Sequence, residues 1–60
     1  MIEKVMETMR NHGLYAVKLT SDMIGLTDNS GNVYDVVVVT NKGLIIDENT
    51  TMSLAAWLGY

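Results

Sequence analysis

The chain has 60 residues, no cysteine, one histidine and a formal net charge of -3. Absence of cysteine excludes a disulfide framework and a thiolate zinc site, and the acidic balance disfavours a general nucleic-acid or anionic-membrane binder, since both need a basic field. A domain this short buries only about 60% of its unfolded surface, and small folds of that kind lean on disulfides, a metal or a partner, so a partner is the support that remains.

Hydrophobic residues make up 48% of the chain, the range of a globular protein rather than a disordered one. No apolar run approaches the ~20 residues of a membrane helix. The amino terminus lacks a basic segment followed by an apolar core, so no signal peptide is read and a cytoplasmic location is expected.

The first element is a helix over residues 2–12. Ile2, Val5, Met6 and Met9 recur at spacings of three and four, an apolar stripe on one face, with Glu3, Lys4, Glu7, Arg10 and Asn11 on the other. Gly13 supplies a left-handed stop, and Leu14 can fold back on Met9 as in a Schellman cap. Four strands follow, at 14–20, 23–28, 32–40 and 44–48. Asn29-Ser30-Gly31 and Asn41-Lys42-Gly43 each read as a three-residue hairpin loop with glycine in the left-handed position, and Ser21-Asp22 as a two-residue turn.

Those turns phase the strands. Counting outward from them places Tyr15, Val17, Leu19, Ile24, Leu26, Tyr34, Val36, Val38, Leu44 and Ile46 on one face, the expected core. The other face receives Lys18, Gly25 and Asp35 in one row, with the glycine leaving room for the lysine and aspartate to meet. It also receives Met23, Val37, Val39 and Ile45, a contiguous apolar patch larger than the scattered apolar residues of an ordinary surface. The strand 44–48 is expected at the sheet edge, without proline, bulge or central lysine to guard it.

A helix over residues 51–58 closes the chain, capped by Thr50 or Thr51 with Asp47 and Glu48 just upstream of its positive end. It is apolar nearly all round, and Trp57 and Tyr60 are aromatics with polar tips of the kind found at interfaces. The fold class is therefore α+β: helix, four-stranded antiparallel meander, helix, in one domain over 1–60, with both helices on one face of the sheet.

Chemistry is sparse. His12 ends the first helix without an acidic or nucleophilic partner at a recognisable spacing, and a capping or solvated role is expected. Asp47 and Glu48 are adjacent and point to opposite sides of a strand, which rules out a paired-carboxylate site. The segment Asp28-Asn29-Ser30-Gly31-Asn32 lacks the alternate ligands and late glutamate of a calcium loop, and no glycine run precedes a helix as in a phosphate cradle. No catalytic residue, metal site or cofactor is expected.

The leading expectation is a small non-catalytic protein-interaction module, a homodimeric regulator or inhibitor of another protein. Its interaction residues are expected to be Met23, Val37, Val39, Ile45, Trp57 and Tyr60. In scale and economy alone, the chain resembles the small early proteins with which phages block host enzymes. The alternatives are a nucleic-acid binder, against which Lys4, Arg10, Lys18 and Lys42 are dispersed and outnumbered, and a small-molecule site shared across a dimer, for which Tyr34, Asp35, His12 and Lys18 are the available polar groups. A monomer whose last helix covers the patch is the remaining reading.

Overall fold

A computed structural model describes residues 2–59. The elements are α1 (Ile2–Asn11), β1 (Tyr15–Lys18), β2 (Met23–Thr27), β3 (Val33–Thr40), β4 (Gly43–Asp47), β5 (Thr50–Met52) and α2 (Leu54–Leu58). The strands form one open antiparallel sheet in chain order, each pairing with the next. Class and helix placement follow the sequence pattern, but the sheet has five strands rather than four. None of the described helices is long and apolar enough to cross a membrane.

α1 forms as its stripe requires, burying Ile2, Met6 and Met9. Its end is a full Schellman motif: Gly13 has φ 85, its N–H donates to the Arg10 carbonyl, and the Leu14 N–H donates to the Met9 carbonyl at 3.1 Å. Leu14 then packs against the core.

The largest correction concerns phase. In the observed ladders Ala16 pairs with Leu26 and Leu26 with Asp35, Lys18 pairs with Ile24 and Ile24 with Val37, and Val39 pairs with Leu44. Every one of these is offset by one residue from the count outward from the turns. Three local causes account for it. Between β1 and β2, the Met23 carbonyl accepts from both Leu19 and Thr20, so Leu19 rather than Thr20 stands opposite Met23. Between β2 and β3 the Asn29-Ser30-Gly31 loop closes as expected, with Asp28 N–H on the Asn32 carbonyl, but a bulge inserts Tyr34 between the Val33–Thr27 and Asp35–Leu26 pairs. Between β3 and β4 the loop holds two residues, because Gly43 itself pairs with Thr40.

Each slip turns a strand over relative to its neighbour, and successive slips cancel. β2 and β4 therefore keep the expected orientation, while β1 and β3 are reversed. The core consists of Ile2, Met6 and Met9 from α1 with Ala16, Ile24, Leu26, Val37, Val39 and Leu44 from the sheet. Met9, Ile24, Val37 and Leu44 are fully buried, and each contributes about 1.5–3 kcal/mol of transfer free energy. Val37 and Val39, expected on the surface, are core residues. Tyr15, Val17, Leu19 and Tyr34, expected in the core, are exposed, and Val36 and Val38 are half-buried.

The second correction is at the carboxy end. Thr50 and Thr51 do not cap a helix: with Met52 they form β5, which pairs with β4 through a two-residue turn at Glu48 and Asn49. β4 is thus an interior strand rather than an edge. The Asp47 carboxylate serves that turn, accepting the Asn49 N–H at 2.9 Å. Helix α2 is shorter than expected and starts after Ser53, whose hydroxyl accepts the Ala56 N–H, and it stops at Gly59 with φ 96. Leu54 and Trp57 pack on the edge of the same core as α1.

Candidate functional site

Strand alternation fixes what the side of the sheet away from the helices carries. With Ala16, Ile24, Leu26, Val37, Val39 and Leu44 turned toward α1, the opposite side holds Tyr15, Val17, Met23, Gly25, Val36, Val38 and Ile45. Laterally, Val17 stands beside Gly25 and Gly25 beside Val36. In the next row Met23, Val38, Ile45 and Thr51 run across four strands. Leu19 joins this face from just beyond β1: a Cβ built on Gly25 would stand 3.1 Å from its side chain. Leu19 therefore lies over the one interior position without a side chain, and the face is filled rather than grooved.

The result is an open, flat, aliphatic sheet face with a tyrosine at one end. Tyr15 is 58% exposed, Leu19 44% and Val17 39%. None of the rows named contains Lys, Arg, Asp or Glu. Neither described helix rests on this side, since the side chains that α1 and α2 bury belong to the core on the other side. An apolar surplus opposite the helical layer is thus present, as the sequence pattern requires, but with different members. Of the expected interaction residues, Met23 and Ile45 lie on it, Val37 and Val39 lie in the core, and Trp57 is half-buried beside that core. Tyr60 falls outside the described residues. Tyr15, Val17, Leu19, Val36 and Val38 are the contributors that sequence counting missed, and the bulge at Tyr34 is the feature that hid two of them.

The polar groups do not assemble into a reactive site. Lys18 does not reach Asp35 across Gly25: it shares a row with Ile24 and Val37, and its ammonium meets Glu3 Oε2 of α1 at 3.0 Å. That hydrogen bond and the lysine charge hold the Glu3 carboxyl below its ordinary value. The Asn49 N–H and the Thr50 hydroxyl do the same for Asp47. His12 Nδ1 lies 2.9 Å from the Thr8 carbonyl, which can only accept, so the ring donates to a carbonyl that also takes the His12 backbone N–H at the end of α1. The Asp28 carboxylate accepts the N–H groups of Ser30 and Asn32 and is spent on its own turn. Among the described residues no three His, Asp or Glu side chains come together in a way that could hold a metal ion.

One shallow cleft of about 630 Å³ lies between the end of α1, β1 and the β2–β3 loop, lined by Arg10, Leu14, Tyr15, Thr27 and Asp28 among others. Its guanidinium is committed: Arg10 Nη2 donates to the Ala16 carbonyl at 2.8 Å. That carbonyl points out from the sheet edge, because the Leu19–Met23 hydrogen bond makes Val17 and Tyr15 the inward-bonded residues of β1 and leaves Ala16 and Lys18 facing outward. Arg10 thus covers part of an edge that another strand would otherwise use.

No protein-family model, no curated protein and no solved structure matches the chain.

Proposed function

We propose that this chain is a non-catalytic protein-interaction module and that the open sheet face is its contact surface. The observation that carries the reading is the combination on one face of exposed Tyr15, Val17 and Leu19 with half-buried Met23, Val36, Val38 and Ile45, without a charged residue in the rows between them. A continuous apolar surface of this kind gains free energy only when another apolar surface covers it. The chemistry selects the class of partner. Nucleic acid needs cations or stacked aromatics on the contact surface, and here the cations sit elsewhere: Arg10 is on the Ala16 carbonyl and Lys18 on Glu3. A small molecule needs a concavity with convergent polar groups, whereas Leu19 lies over Gly25 in the middle of this face and the cleft beside it has its guanidinium bound to the Ala16 carbonyl. A module of this type works by occupying its partner, as a regulator or an inhibitor does.

The test is affinity capture from a lysate of the cells that make the protein, comparing wild type with Val38→Lys. The proteins retained, an untagged copy of the chain included, are expected to be lost with Val38→Lys while the circular dichroism spectrum stays unchanged. Equal recovery by wild type and a folded Val38→Lys refutes the assignment.

A further inference from the structure

We infer that the occupant of the open face is a second copy of this chain, stacked sheet to sheet about a two-fold axis. The inference rests on the reading of that face as a contact surface and names what covers it. Three observations favour a second copy. The first is area. The apolar side chains of the face expose on the order of 500 Å² per copy, scaled from about 200 Å² for a whole tyrosine. The pair then buries about 1,000 Å², the threshold of a specific interface and above a chance contact.

The second is charge. Two chains of net charge -3 repel, and they can dock only through a region that keeps their carboxylates apart. All seven acidic residues lie off the rows of the open face: on α1, in the β1–β2, β2–β3 and β4–β5 turns or beside them, and at Asp35 on the helix side. The face itself is neutral, so it is the part of the surface on which two copies can meet without burying a carboxylate.

The third is the state of the edges. The β1 edge carries Arg10 on its Ala16 carbonyl, and the β5 edge is only three residues long. Extension of the sheet edge to edge is therefore poorly supported, and the face is the route left for two copies to meet. Stacked sheets of this type lie about 10 Å apart with their strands rotated by about 30°. In such a pair the Met23–Val38–Ile45 row of one copy interdigitates with the valines of the other.

Sedimentation velocity of the purified chain over a dilution series tests this, with Val38→Lys and Val17→Lys beside wild type. An interface of this size is expected to dissociate in the micromolar range: mass of two chains at about 100 µM and of one chain near about 1 µM. Both variants are expected to weaken association by about 100-fold or more, since each places like charges across the axis. Val17 is partly exposed on an edge strand, so Val17→Lys carries the test if Val38→Lys fails to fold. A wild type that is monomeric throughout overturns the second copy, and lysate partners still lost with Val38→Lys would then leave the contact-surface reading standing. A dimer indifferent to Val17→Lys overturns the stacking.

Discussion

Val37 and Val38 are neighbours of identical chemistry, and the two faces of the sheet give them opposite costs. Val37 is fully buried in the core that the sheet forms with α1. Val37→Ala removes two methyl groups, about 1.6 kcal/mol of transfer free energy, and leaves a cavity that raises the cost to about 2–3 kcal/mol. For a chain of this length total stability is on the order of 3–9 kcal/mol, so that single change removes a large fraction of it. Val38 looks out from the open face and is half-buried; Val38→Ala in the isolated chain costs less than about 1 kcal/mol. Urea denaturation at about 1 µM, below the expected association range, separates the two. With a slope of about 1 kcal/mol per molar, the Val37→Ala midpoint falls by about 2 M or more and the Val38→Ala midpoint by less than half of that. Equal shifts, or a larger one for Val38→Ala, would refute the assigned faces of β3.

Two further outcomes follow from single sites. Gly43 has φ 131, and a Cβ there would stand 2.6 Å from the Met52 carbonyl oxygen. Gly43→Ala therefore strains the backbone and pushes β5 off β4; a loss of about 2–3 kcal/mol in urea denaturation is expected, and an unchanged midpoint would contradict the β4–β5 pairing. Glu3 and Asp47 titrate below their ordinary values of 4.5 and 3.8. Depressed carboxyls give stability that is complete above those values and is lost as pH falls through the folded ones. The urea midpoint should thus decline as pH drops below about 4.5, with a shallower decline in Glu3→Gln; a midpoint that holds or rises on acidification would contradict the Lys18–Glu3 pairing.

The sequence made some of this legible and hid the rest for identifiable reasons. The α1 stripe and its Gly13 stop are local signals, and both hold. Turn positions are also local, and all three chain reversals fall at the expected places, but only Asn29-Ser30-Gly31 keeps its expected length: Thr20 joins Ser21-Asp22, and Gly43 leaves the third loop to pair with Thr40. Phase is not local. Val36 to Val39 is apolar on every residue, so either face of β3 satisfies the hydrophobic pattern, and a bulge at Tyr34 decides between them. In β1 the alternation Tyr15, Val17, Leu19 outweighs Ala16 and Lys18 as a core pattern. What reverses it is the approach of α1: small Ala16 lies buried in the core that α1 helps to form, and Lys18 reaches Glu3 at its margin. β5 was hidden because Thr50-Thr51 reads equally as a cap, and its turn at Glu48-Asn49 carries no glycine. The apolar surplus on the helix-free side was legible in amount, since valines and isoleucines outnumber the positions one core can hold. Its membership depended on register.

An isotope-filtered NOE experiment on a mixture of labelled and unlabelled chain, at a concentration where sedimentation gives the mass of two chains, addresses the face directly. Cross-copy contacts are expected among the methyls of Val36, Val38, Met23 and Ile45 and the ring of Tyr15, with none to Val37 or Val39. Contacts between copies through α1, α2 or the strand edges, with the Val38 methyls silent, would contradict the assignment of the open sheet face as the surface that meets its partner.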